Sequence, residues 1–135
     1  MTEQAKTEHP NVQRMREGYA AFAKGDLAAL RKYLTEDVVW HVPGHSALAG
    51  DYAGIDAVFE FFGRVMEQSE GSFRVEPRAL LADDNYGSAP VTMTAHRGDR
   101  HLEVMDVQTS RFRDGRVAEF WDTATDPDAL EQFWS

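Results

Sequence analysis

The run Val38-Val39-Trp40-His41-Val42-Pro43-Gly44 constrains the fold of this chain more than any other segment. Its β-branched and aromatic residues demand an extended backbone, and Pro43-Gly44 ends that extension in a turn. It follows a helical stretch punctuated by Gly25-Asp26. An apolar strand that leaves a helix carrying one indole and one imidazole is how a small α+β domain begins to line a pocket.

Helical periodicity flanks that strand. Val12, Met15, Tyr19 and Phe22 recur every three or four residues after Pro10, with Arg14, Arg16 and Glu17 among the intervening positions, which predicts an amphipathic helix. Gly25 can close it in a left-handed conformation, and Asp26 can cap a second, short helix with Leu27, Leu30 and Leu34 on one stripe. Residues 45–54 read as turn-rich. A third helix follows, with Ile55, Val58, Phe59, Phe62, Val65 and Met66 on one face and Asp56, Glu60, Arg64 and Glu67 on the other. These stripes read as core packing.

Beyond Gly71, turn clusters at Ala82-Asp83-Asp84-Asn85, Arg97-Gly98-Asp99 and Arg113-Asp114-Gly115 separate four strands, at about 73–81, 86–96, 100–112 and 116–124. Pro77 and Pro90 mark edges or bulges, because each lacks a ladder donor. Asp126-Pro127 supplies the cap and first position of a last short helix ending in Phe133-Trp134. Helices, a strand, a further helix and then consecutive hairpins define an α+β order, with a mainly antiparallel sheet curled around the helices.

At 135 residues the chain fits one domain, 1–135, with residues 1–9 expected to be flexible. A formal charge of −9 repels phosphate backbones, so nucleic acid is not an expected partner. No apolar stretch approaches a membrane span, and the polar N-terminus lacks the apolar core of a signal peptide. The absence of cysteine suits a reducing compartment, and a cytoplasmic location is the expectation.

Three pieces in order carry a family likeness. They are Gly25-Asp26-Leu27-x-x-Leu30 running into Asp37 to Gly44; Ala53-Gly54-Ile55 opening the third helix; and Arg111-Phe112-x-x-Gly115-Arg116-Val117 leading to Phe120-Trp121-Asp122. Together they resemble the SnoaL-like polyketide cyclase and ketosteroid isomerase-like branch of the nuclear transport factor 2-like superfamily. The resemblance implies a cone-shaped α+β fold whose curved sheet and helices enclose a mostly apolar cavity, in a homodimer formed through the outer sheet face. It does not fix a reaction, because one fold hosts many chemistries. Matched to ketosteroid isomerase, the position of the proton-shuttling Asp is Val42, that of the protonated oxyanion-hole Asp is Gln108, and that of the helix-one Tyr is Gly18, beside Tyr19. Phe120-Trp121-Asp122 resembles instead the Trp-Arg-Asp run of limonene epoxide hydrolase, whose Asp helps activate a water; its companion Arg-x-Asp is absent near residues 88–90.

Alternation along the fourth predicted strand places Leu102, Val104, Asp106, Gln108, Ser110 and Phe112 on one face. If the resemblance turns Gln108 inward, Asp106 follows, and desolvation raises that carboxylate's affinity for protons. The plainer alternative pairs Asp106 with an arginine at the rim or with water. On the last strand Ala118, Phe120, Asp122 and Ala124 share a face, which the resemblance turns inward. Two close carboxylates resist joint ionisation, so one of Asp106 and Asp122 can act as base while the other holds a proton.

His41 alternates with Val42 and so faces outward on a regular strand; a bulge before Pro43 would bring it to the pocket mouth as a base. Trp40 should face inward and either pack the core or stack on a ligand. His41 and His45 cannot share a helix across Pro43-Gly44, and His96 and His101 flank a turn without a third ligand, so no metal is expected. No phosphate loop, nucleophile elbow or dinucleotide fingerprint occurs, and no cofactor is expected.

The leading expectation is a cofactor-independent enzyme doing acid/base chemistry (isomerisation, cyclisation or hydration) on a small hydrophobic molecule. Asp106, Asp122 and His41 are its candidate catalytic groups, and Tyr19, Trp40, Phe62, Gln108 and Phe120 its candidate substrate-binding residues. The alternative is a non-enzymatic binding protein in which the same cavity sequesters a hydrophobic ligand.

Overall fold

The computed structural model of the chain describes residues 8–135. Helix α1 (Pro10–Lys24) begins with proline in its first turn, where a missing N–H costs nothing, and with the ring of His9 accepting from Asn11 N at 3.0 Å. The other His9 nitrogen meets Asp84 Oδ1 at 2.7 Å, so His9 is anchored at both ends of its ring. Of the N-terminal stretch expected to be flexible, residues 1–7 lie outside the described residues. Gly25, at φ 68°, ends α1 in the left-handed region that a Cβ disfavours.

Asp26 caps α2 (Leu27–Leu30) by accepting from Ala29 N. A single 3-10 turn, Arg31–Tyr33, then leads into β1 (Leu34–Val42). The expected Leu27, Leu30 and Leu34 stripe does not form: Leu27 is exposed, and Leu34 already belongs to the strand.

Strand β2 (Gly50–Ala53) pairs antiparallel with β1. It sits inside the stretch read as turns, because four residues containing Gly and Asp carry little strand signal. Helix α3 (Ile55–Gln68) buries Ile55, Val58, Phe61, Phe62 and Val65; Phe61 joins the face, while Phe59 and Met66 stay at its margin.

The stretch 73–81 splits into β3 (Arg74–Pro77) and β4 (Leu81–Ala82), both paired with β5 (Tyr86–Arg97). Pro90 explains the split. Its carbonyl accepts from Arg78 N on that side, so its donorless nitrogen faces the same side and no continuous ladder can form there. Strands β6 (Arg100–Arg113) and β7 (Arg116–Ala124) complete the sheet, and α4 (Pro127–Trp134) closes the chain, capped by Asp126.

The sheet order is β2-β1-β7-β6-β5-β3, with β4 beside β5. Among the described residues only β1 and β7 run parallel; the other pairings are antiparallel, so the curved sheet is mixed and does not close. Four helices among the described residues and this cone-shaped sheet make the expected α+β architecture, with α1 and α3 in the concave face and α4 across its far end. Val38, Val58 and Val91, each 0% exposed, contribute about 1.5–3 kcal/mol apiece by burial. Among the described residues no helix is long and apolar enough to cross a membrane.

Candidate active site

The centre of the concave face is built by register. Gln108 on β6 lies directly opposite Asp122 on β7, and Ser110 lies opposite Phe120. Asp106, two residues back on the same face of β6, is the diagonal neighbour of Asp122. Strand alternation therefore delivers two carboxyls and an amide to one patch of inner wall.

Gln108 is the hub of that patch. Its Nε2 donates to Asp122 Oδ1 at 2.9 Å, and its Oε1 accepts from the Tyr19 hydroxyl at 2.6 Å. The orientation of the amide follows, since a carboxylate needs a donor and the phenol supplies one. Tyr19 is a strong donor that does not ionise: burial first, then the neighbouring Asp122 and Asp106 carboxyls, hold its hydroxyl well above the usual phenol range.

Asp106 is 0% exposed, and neither of its side-chain oxygens has a donor partner. Val91, equally buried, opposes it on β5. An ionised carboxylate left there would be uncompensated, so the group retains a proton: burial, reinforced by the neighbouring Asp122 carboxyl, pushes it up to about 9. Protonated, Asp106 becomes a donor, and Asp122 is the acceptor beside it. Asp122 is also raised by burial, while hydrogen bonds from Asp106 and Gln108 pull it back toward the ionised form. The pair therefore resists joint ionisation, and Asp106, whose oxygens have no donor, is the one that favours the proton.

Asp122 opens onto a cavity of about 120 Å³. Its lining includes Tyr19, Phe22, Trp40, Phe62, Phe73, Gln108, Ser110 and Phe120. Trp40 stacks on Phe120, ring centres 3.6 Å apart at 11°, and meets Phe62 edge-on at 5.1 Å. Phe22 presents its edge to Phe62 at 5.1 Å. A smaller chamber of about 70 Å³ lies under α4 and the 43–48 loop, touching Asp106 and the other side of Asp122.

The structure therefore brings Tyr19, Trp40, Phe62, Gln108, Phe120 and Asp122 to one cavity and places Asp106 immediately behind it. His41 is not among them. No bulge precedes Pro43: the register Trp40↔Tyr52, His41↔Asp51, Val42↔Gly50 is regular, and the irregularity in β1 falls earlier, between Leu34 and Val39. With Trp40 inward, His41 must point outward, where it stacks on Trp121 and bridges Asp51 and Glu119 at 2.7 and 2.6 Å.

Residues 15–120 match the SnoaL-like domain, so the chain belongs to that family and, through it, to the nuclear transport factor 2-like superfamily. An uncharacterised protein of Mycobacterium tuberculosis is 31% identical over 130 residues, spanning 96% of this chain and 99% of that protein. Among solved structures, Bal32a, from a soil-derived mobile gene cassette, is 35% identical with a TM-score of 0.90, covering 93% of this chain and 97% of Bal32a. IdmH from Streptomyces antibioticus, a candidate polyketide cyclase, shares the fold at 20% identity and a TM-score of 0.73, over 92% and 98% of the two chains.

Ser110 and Arg14 are among the lining residues that the sequence does not mark as site candidates. Ser110 carried a usable signal, because it shares the inner face of β6 with Gln108. Arg14 carried none, since it lies among the polar positions of α1 that ordinarily face water.

Proposed function

We propose that this protein is a cofactor-independent acid/base catalyst that moves a proton within a small, largely apolar molecule held in the aromatic cavity. The observation that carries the reading is the buried pair of Asp106 and Asp122 behind Gln108. One carboxyl keeps a proton and the other presents a charge to the cavity, the division of labour that acid/base chemistry requires.

The steps follow from the donors. A substrate carbonyl near the wall accepts from the second N–H of Gln108 or from the Ser110 hydroxyl. Asp122 takes a proton from the adjacent carbon, and the C–H electron pair becomes the enolate, whose oxygen those donors stabilise. Return of the same proton to a different carbon is isomerisation. Attack of the enolate carbon on a second carbonyl of the molecule forms a ring bond, and the new alkoxide takes the proton back from Asp122. Both outcomes are redox-neutral and consume no co-reactant, and IdmH, a candidate polyketide cyclase of the same fold, is a precedent for the second. Hydration would need a water beside Asp122 in place of the carbon acid.

Tyr19 fixes Gln108, and Trp40, Phe62 and Phe120 present flat faces to a planar ligand. His41 takes no part in this scheme. We assign the protein to the cytoplasm and to a homodimer through the outer sheet face, where half-buried Val107 and Trp121 lie with exposed Met105.

The test uses 2-tetralone, a flat ketone with acidic carbon-bound protons. In deuterated buffer, proton NMR should show exchange at its C1 faster with protein than with buffer alone, and Asp122→Asn should cut that acceleration about 100-fold or more. Tetralone that binds without accelerated exchange would identify a binding protein instead.

A further inference from the structure

Among the described residues Arg14 is the one cation in the lining of the larger cavity and its one exposed lining residue, so it stands at the rim. Its position is built. Asn11, only 2% exposed, donates from Nδ2 to Asp83 O at 3.0 Å and accepts from Arg14 Nη1 at 2.7 Å. On its other side the guanidinium lies against Gly115: a Cβ there would come within 2.8 Å of Cζ and Nη1 and 3.1 Å of Nε. A buried amide and a bare glycine thus hold the guanidinium over the β6–β7 turn.

That charge is not engaged in an ion pair, and its field is only the last cause, after the hydrogen bonds from Gln13 and Tyr33, of the lowered pKa of Glu17. Among the described residues no carboxylate forms an ion pair with Arg14. Glu17, three residues on, is held instead by Gln13 and Tyr33, each at 3.0 Å. In a chain of net charge −9, an arginine left without an acid and fixed at the mouth of an apolar cavity has unspent donors in a planar fork.

We infer that the ligand carries an anionic group, a carboxylate or an ionised enol or phenol, which Arg14 binds at the rim while the apolar body lies among the aromatic rings and the reacting end meets Gln108 and Asp122. This inference rests on the proposed ligand cavity. Arg14 and Tyr19 are separated by about 7.5 Å along α1, five residues at ~1.5 Å each, so the body between the two ends is of the order of two or three fused rings. The arrangement also orients the ligand, since the anion is repelled by Asp122 and drawn to Arg14. One end of the molecule is therefore selected for chemistry.

Two isosteric probes separate the possibilities: 2-naphthoate, which is anionic, and 2-acetonaphthone, which is neutral. Their dissociation constants are measured by tryptophan fluorescence titration at low salt with the native protein and with Arg14→Gln. Naphthoate should bind about fivefold or more tighter than the ketone, and the glutamine variant should erase that preference while leaving ketone affinity within about twofold. Added salt should weaken the acid alone. Equal affinities in the native protein, or an acid preference that survives Arg14→Gln, would overturn the assignment of Arg14 and leave the ligand cavity standing. Failure of both probes to bind would overturn the ligand cavity itself, and this inference with it.

Discussion

The hydroxyl of Tyr19 on α1 and the amide oxygen of Gln108 on β6 meet at 2.6 Å, tying the first helix to the central strand across the cavity. Removing the phenol oxygen strands a buried acceptor without removing any ring packing. Tyr19→Phe should destabilise the fold by about 1–2 kcal/mol in urea titrations. It should also slow tetralone exchange about tenfold by freeing the Gln108 amide to rotate, while tetralone affinity stays nearly constant.

Asp106 makes stability depend on pH in a direction opposite to that of most carboxylates. Its folded pKa is raised from near ~4 to about 9. Between those values the folded state holds a proton that the unfolded state has released, so stability falls as pH rises through that window. Asp106→Asn keeps a donor toward Asp122 without the titrating proton. The variant should match the native protein near pH 4.5 and exceed it by about 1–3 kcal/mol at pH 8.5, read from thermal melts at both values. A native protein that gains stability from pH 5 to 8 relative to the variant would show that Asp106 is ionised.

How far the sequence reveals this architecture depends on the range of the interactions involved. Helices α1 and α3 and strands β6 and β7 are visible because each buries one face of a regular element, which imprints a period of 3.6 or 2 on the chain. The inward placement of Asp106 follows from that same alternation once Gln108 is known to face inward; that of Asp122 also needs the register of β7 against β6. Strand β2 is not visible, because its four residues are held by pairing with β1 rather than by an apolar pattern of their own. The break between β3 and β4 depends on where Pro90 of a different strand points, which no local window contains. Arg14 looks like any solvent-facing residue until Asn11 and Gly115 are seen beside it.

The loop after β1 is latched to the last helix by Glu131, whose Oε1 accepts from His45 N at 2.5 Å, a contact across 86 positions. Gly44 makes room for it. A Cβ there would lie within 2.0 Å of the same oxygen, and Gly44 sits at φ 105°, where side chains are strained. Gly44→Ala should cost about 2–3 kcal/mol, combining backbone strain with a displaced carboxylate. Glu131→Ala removes only the latch and should cost about 1 kcal/mol. Hydrogen exchange should show α4 opening in both variants, because the latch and the chamber beneath it are shared.

On the outer face, His41 lies between Asp51 and Glu119, and Arg111 Nε donates to the second oxygen of Glu119 at 3.2 Å. Both imidazole nitrogens face carboxylates, so both serve best as donors, and the doubly protonated ring is favoured. The hydrogen bonds that it donates to Asp51 and Glu119 raise its pKa, the one to Asp51 foremost, despite partial burial. A histidine raised in this way stabilises the fold fully below its unfolded value near ~6.5, and the contribution is lost as pH rises through the folded value. His41→Gln should therefore cost about 1 kcal/mol or less at pH 5.5 after solvent screening, and nearly nothing at pH 9. Tetralone exchange by this variant, assayed at pH 7 where the fold is intact, should equal that of the native protein. A collapse of exchange activity in His41→Gln would mean that the outer-face network feeds the cavity through Glu119 and the strand it shares with Asp122.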